Sequence, residues 1–259
     1  MRISQIAALI LGLPLVAGLS MQAAAQNGAT TEPNWTYLGK YGPANWGRID
    51  PSYSACSKGH EQSPVDIRGA RLDRALKTIE FHFIGAPVTL VNNGRAIVVK
   101  AYPGSYVVAG GVRYDLIDFT FHHPSEHAVN GDLSDMEVDF LTRSADGKTV
   151  MLAVLLSANS DFPNPTVAML WQHLPTQPGT QQKDEEDMVN AGGLFPADRG
   201  YWTYPGSLPE PPCTEGVQWY VFETPVSISQ MQLKAFTKIF KMNTRPLQEL
   251  HGRRILANE

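Results

Sequence analysis

The sequence predicts a single, mainly β domain with a few short helices, and three observations carry that expectation. Short runs rich in β-branched and aromatic residues recur along the chain, Gly, Pro and Asn punctuate the intervals between them, and helical periodicity is scarce. At 259 residues with 43% hydrophobic content, the chain can bury a substantial core.

The first stretch, MRISQIAALILGLPLVAGLSMQAAAQNG, joins a basic Arg2 to an apolar run from Ile6 to Leu19 and the small triplet Ala23-Ala24-Ala25. This pattern predicts a signal peptide over residues 1–25, cut before Gln26, and a domain over 26–259. The run is shorter than the ~18–20 apolar residues a membrane span needs, it contains Pro14, and no later segment is apolar enough to span. The protein is therefore expected to be exported, with the periplasm as its compartment.

Strands are expected at 79–83, 88–91, 96–101, 105–109, 116–122, 136–142, 150–157 and 218–224. Ser229 can cap a helix in which Met231, Leu233, Phe236, Ile239 and Phe240 recur at helical spacing, and 166–174 offers a second. The Pro- and Gly-rich connection over 161–212 reads as a long loop, functional or wrapped around the core. Within it, Lys183-Asp184-Glu185-Glu186-Asp187 reads as a solvated loop.

The formal net charge is −4, and no basic cluster exists apart from Arg253-Arg254, which argues against a nucleic-acid partner. The two cysteines, Cys56 and Cys213, both lie beyond the signal segment. In an exported chain this even count suggests a disulfide, with two buried thiols as the alternative.

The stretch FTFHHPSEH, residues 119–127, carries three histidines and a glutamate. Strand alternation puts Asp118, Thr120 and His122 on one face, and Phe119, Phe121 and His123 on the other. Glu137, Asp139 and Leu141 share a face of the 136–142 strand. If the two strands are antiparallel neighbours, both polar sets converge on one pocket.

At these residues the chain resembles the α-carbonic anhydrases. The resemblance runs through Trp35-Thr36-Tyr37, Tyr41-Gly42-Pro43, Trp46, QSPVDI at 62–67, Asn92-Asn93-Gly94, Phe121-His122, Ser125-Glu126-His127 and Met136-Glu137. It continues through YWTYPGSL at 201–208, PPCTEG at 211–216, Trp219, Asn243 and Arg245-Pro246. It implies one large, twisted, mostly antiparallel central sheet, a Cys56–Cys213 disulfide and, in the family, a zinc ion held by three histidines. The zinc carries a water whose pKa falls to about 7, and the resulting hydroxide attacks CO2.

The family's ligand positions fall here on Thr120, His122 and Asp139. The threonine that orients the zinc hydroxide is replaced by Pro209, followed by Glu210, and the proton-shuttling histidine by Arg95. Proline offers neither a hydroxyl nor an N–H, and arginine cannot deprotonate near neutral pH. Asp118 stands where a glutamine supports the first ligand. The resemblance also implies supporting positions for Glu126, His127, Glu137 and Tyr204, with Glu126 and Glu137 having lost their partners.

The expectation is a family member with a degraded site, non-catalytic or very weakly active, serving a binding or structural role for an unidentified ligand or protein. No zinc is expected at full occupancy. One alternative is a zinc-dependent carbonate dehydratase acting on CO2 and bicarbonate through His122, Asp139 and either Thr120 or a re-aimed His123. Another is a hard divalent cation, such as Ca²⁺ or Mn²⁺, in a pocket of Asp118, Glu126, Glu137, Asp139 and Glu210. The simplest charge arrangement is a protonated His122 paired with Asp139, the remaining carboxyls sharing protons.

Overall fold

The computed structural model describes residues 34–259, so the expected signal peptide over 1–25 lies outside the described residues. In chain order the strands begin with β1 (Asp66–Ile67), β2 (Arg71–Leu72), β3 (Glu80–His82), β4 (Gly85–Asn92), β5 (Ile97–Lys100), β6 (Tyr106–Ala109) and β7 (Val112–His122). They continue with β8 (Ala128–Val129), β9 (Asp132–Leu133), β10 (Met136–Arg143), β11 (Thr149–Ser160) and β12 (Thr180–Asn190). The last are β13 (Tyr201–Ser207), β14 (Glu215–Ser229) and β15 (Leu256–Ala257). The helices are α1 (Trp46–Ile49), α2 (Ala55–Lys58), α3 (Pro165–Gln172) and α4 (Gln230–Thr237).

Twelve strands form one sheet in the order β12-β4-β5-β7-β10-β11-β14-β13-β15-β2, with β6 pairing both β3 and β7. Most neighbours are antiparallel, but β11 pairs β14 and β15 pairs β2 in parallel. The sequence explains where β11 sits. Its run from Val150 to Leu156 is buried throughout, as a strand covered on both faces requires.

Alternation along the central strands separates two cores. Phe119, Phe121, Phe140, Leu152 and Phe222 pack on one face, with the Phe119 and Phe140 rings 5.0 Å apart. Met151, Ala153, Tyr204, Val217 and Trp219 pack on the other. Thr120, His122 and Asp139 follow the parity of this second face, so the pocket opens beside it.

Trp35, Tyr37 and Trp46 form a third cluster around the Cys56–Cys213 disulfide. The two cysteines are 157 residues apart in sequence. In the chain-entropy view, closing so long a loop stabilises by up to about 5 kcal/mol. Urea denaturation of a C56A/C213A variant is expected to show a loss of that order, and an unchanged midpoint would contradict it.

The 161–212 connection is more ordered than a loop. It holds α3, the edge strand β12 and β13, which pairs β14. The acidic stretch is part of β12, in a register shift between Asp184 and Met188. Its sequence, TQQKDEEDMVN, lacks an apolar alternation because an edge strand faces solvent and charge there discourages edge pairing.

The C-terminal helix is also shorter than its apolar spacing suggests. α4 starts at a capping box, with Ser229 Oγ accepting from Gln232 N (3.3 Å) and Gln232 Oε1 accepting from Ser229 N (3.0 Å). It ends at Thr237, ahead of Ile239 and Phe240, and Met231 is 77% exposed.

Candidate functional site

Antiparallel pairing of β7 and β10 sets Thr120 opposite Asp139, His122 opposite Glu137, and Asp118 opposite Leu141. The outward parity of these pairs forms one wall of a pocket. Asp118, Thr120, His122, Asp139, Pro209 and Glu210 line it together with Leu141, Met151 and Leu208. Its volume is about 60 Å³, room for about two waters.

His122 is fixed by its backbone surroundings. Asn243 donates its side-chain N–H to Phe121 O (3.0 Å) and accepts from His123 N at its side-chain oxygen (2.9 Å), while its carbonyl lies 2.9 Å from His122 Nδ1. A carbonyl can only accept, so Nδ1 carries the proton and Nε2 keeps a lone pair. That lone pair faces Asp139, but Nε2 and Oδ2 are 3.8 Å apart, beyond hydrogen-bond range.

Asp139 is only 2% exposed, and apart from an interaction with the Glu137 carboxyl beside it neither oxygen has a hydrogen-bond partner of ordinary geometry. Burial pushes its carboxyl well above the ordinary range, helped by the charges of Glu137 and Glu126. Burial pushes His122 down. The protonated His122–Asp139 pair expected from sequence is therefore not formed, because burial makes the neutral form of each group the cheaper one.

Behind the pocket, Glu126 Oε1 accepts from Arg245 N at 3.2 Å, while Oε2 is buried without a partner. Burial and the Glu137 charge push Glu126 up to about 8. Glu137 has not lost its partners, contrary to the sequence expectation. Burial raises its pKa, but the His127 imidazole and its hydrogen bonds prevail and bring it down to about 2. His127 donates Nδ1–H to Glu137 Oε1 (2.6 Å) and its backbone N–H to Oε2 (2.8 Å), and Nε2 lies 2.7 Å from Tyr204 Oη. Tyr204 Oη in turn donates to Ser63 Oγ at 3.0 Å.

At the rim, Glu210 is half-buried and burial pushes it up to about 7, with His122 and Arg95 partly offsetting. Asp118 pairs with Lys100 Nζ at 3.0 Å. Arg95 does not line this pocket. It stacks on Trp35 at 4.3 Å and borders a separate recess of about 290 Å³ with Tyr37 and Lys241. His123 is turned away, its Nδ1 donating to Asp135 O at 2.7 Å, so no bulge re-aims it.

These shifts set a pH dependence. Three carboxyls, Glu126, Asp139 and Glu210, have folded pKa values above their unfolded ones, so the stability they contribute is present at low pH and is lost as pH rises, through about 7 for Glu210 and about 8 for Glu126. His122 opposes this, contributing stability above its unfolded pKa that is lost as pH falls, but it is one group against three. Urea midpoints are expected to be higher at pH 5 than at pH 8. The reverse order would contradict the protonated carboxyl cluster.

The residues at the family's ligand positions differ from its three histidines. Zinc draws on Cys, His and carboxylate donors at about 2.0–2.3 Å. Thr120 supplies a neutral hydroxyl instead, and Asp139 and His122 are the two remaining donors. Among the described residues, no third His, Cys, Asp or Glu atom comes within metal-ligand spacing of them. The group that does meet that spacing is His173, Asp184 and Asp187 at the β12 edge, where His173 Nε2 already bonds Asp187 at 2.7 Å.

Sequence reasoning gathered the pocket-lining polar residues but missed the anchor. Asn243 and Arg245 stood in recognised motifs without a role, because Asn243 acts on His122 through a backbone carbonyl, which any residue carries.

Comparison with known proteins places this geometry. Residues 41–259 match the eukaryotic-type carbonic anhydrase family, and the chain belongs to it. A carbonic anhydrase of Nostoc sp. is 33% identical over 249 residues, covering 92% of this chain and 94% of that protein. The α-carbonic anhydrase of Thermovibrio ammonificans, solved with sulfanilamide, superposes with a TM-score of 0.83 at 35% identity, covering 86% of this chain and 99% of that one. Dioscorin, solved in complex with ascorbate, superposes with a TM-score of 0.79 at 27% identity, covering 86% and 97%.

Proposed function

We propose that this protein is an exported, periplasmic carbonic anhydrase relative that has lost zinc-dependent CO2 hydration and retains its pocket for binding. The signal-peptide pattern over 1–25 supports export, with 26–259 as the mature domain. The observation that carries the loss of chemistry is Asp139, a buried carboxyl that stands where the family has a third imidazole. Thr120 and Pro209 point the same way, since neither the ligand set nor the hydroxide-orienting hydroxyl is kept. The dioscorin complex with ascorbate supports the binding role by showing that a protein of similar fold holds a small organic ligand.

What the residues do is positional. Asn243 holds His122 in one tautomer, and Glu137 and Tyr204 lock His127 behind it. The opposing reading, a weak carbonate dehydratase, draws on the relatives named carbonic anhydrase and on the His122 lone pair that still faces the pocket. Stopped-flow CO2 hydration, with and without added zinc, separates the two. A rate no higher than buffer is expected, whereas zinc-dependent, sulfonamide-sensitive turnover would establish the enzyme.

A further inference from the structure

The pocket is unusual in what it lacks. Its polar lining is rich in acceptors: the Asp118, Asp139 and Glu210 carboxyl oxygens and the His122 Nε2 lone pair, with the Thr120 hydroxyl able to act either way and a protonated carboxyl adding a single donor. No lysine or arginine lines it, and Pro209 has no N–H to give. Asp118 is already bound to Lys100. Asp139 meets only the Glu137 carboxyl beside it, and neither of its buried oxygens has a hydrogen-bond partner of ordinary geometry, which is costly.

A complementary occupant therefore brings several hydrogen-bond donors, and a positive charge on it favours the ionised form of the carboxyls it meets. A metal ion answers poorly, because a third carboxylate or imidazole does not reach the His122–Asp139 pair among the described residues. A nitrogen cation answers better, since its hydrogen bonds span about 2.7–3.2 Å rather than the ~2.0–2.3 Å of zinc ligation. The wall of Leu141, Met151 and Leu208 adds an apolar surface suited to a methyl or methylene group.

We infer that the pocket binds a small primary ammonium ion, its N–H groups shared among Asp139, His122 Nε2 and Thr120, and its carbon against Leu141, Met151 and Leu208. The volume of about 60 Å³ limits the buried part to little more than the head group and one carbon. The inference rests on the reading that zinc is not resident there. An anion finds no lysine or arginine in the lining to pair with.

Titration of the purified, metal-free protein with methylammonium chloride, followed by calorimetry or by amide shifts, tests this. Saturable one-to-one binding is expected, with a Kd on the order of millimolar, the range open to so small a ligand. Sodium acetate is expected to give no saturable change. Asp139→Asn is expected to weaken binding at least tenfold and Thr120→Val about threefold, both with unchanged far-UV spectra. His173→Ala, at the β12 edge, is expected to bind as the wild type does.

Absence of saturable methylammonium binding, or binding undiminished in Asp139→Asn, would overturn the inference. So would stoichiometric retention of Mn²⁺ that Asp139→Asn abolishes, which would make the pocket a metal site. Zinc retention with CO2 turnover would instead overturn the underlying reading. Loss of methylammonium binding in a zinc-free, inactive protein sinks the ammonium inference alone.

Discussion

A Thr120→His, Asp139→His double variant is expected to raise zinc affinity by at least about 100-fold over the wild type, because it returns two imidazoles to a cross-strand pair already facing His122. The remaining ligand position, His122, needs no repair. Asn243 holds His122 Nδ1–H and leaves Nε2 free. CO2 hydration in the double variant is expected to stay low until Pro209→Thr is added, since proline supplies neither hydroxyl nor N–H. Competition against a chromogenic zinc chelator reads the affinity. An unchanged affinity would mean that the strands no longer present these positions to a common point.

His127→Ala is expected to destabilise the fold by about 3–5 kcal/mol, the usual cost of stripping one partner from a buried ionic pair. Glu137 is fully buried, and two of its contacts, from the His127 ring and the His127 backbone, hold it ionised. Removing the imidazole leaves a carboxylate without its main counter-charge and leaves Tyr204 Oη without one neighbour. Glu137→Gln, which keeps an acceptor for the ring N–H, is expected to cost less. Chemical denaturation orders the two variants, and a small effect of His127→Ala would show that the network is slack.

Much of this was legible in the sequence because it depends on side-chain parity. Thr120, His122 and Asp139 share a pocket since residues two apart share a strand face and β7 pairs β10 in register. The family motifs carried the rest of the fold. β12 was hidden because a solvated edge strand has no apolar alternation, and β13 because its Pro and Gly read as punctuation. The partners of Glu137 were misjudged for a different reason. Its site-facing imidazole is gone, but the loop at 125–127 returns His127 to it from the opposite side, a contact that depends on the loop path and not on strand register. The upward shift of the Asp139 carboxyl was equally hidden, since it follows from burial and the nearby Glu137 and Glu126 charges.

The central claim, that the pocket has given up zinc, is tested most directly by elemental mass spectrometry of the purified, disulfide-intact protein after dialysis against excess zinc and then against metal-free buffer. Well under a tenth of an equivalent of zinc per chain is the expected result, and Asp139→Asn is expected to leave it unchanged. About one zinc per chain, lost in Asp139→Asn, would contradict the claim and restore the protein to the catalytic members of its family.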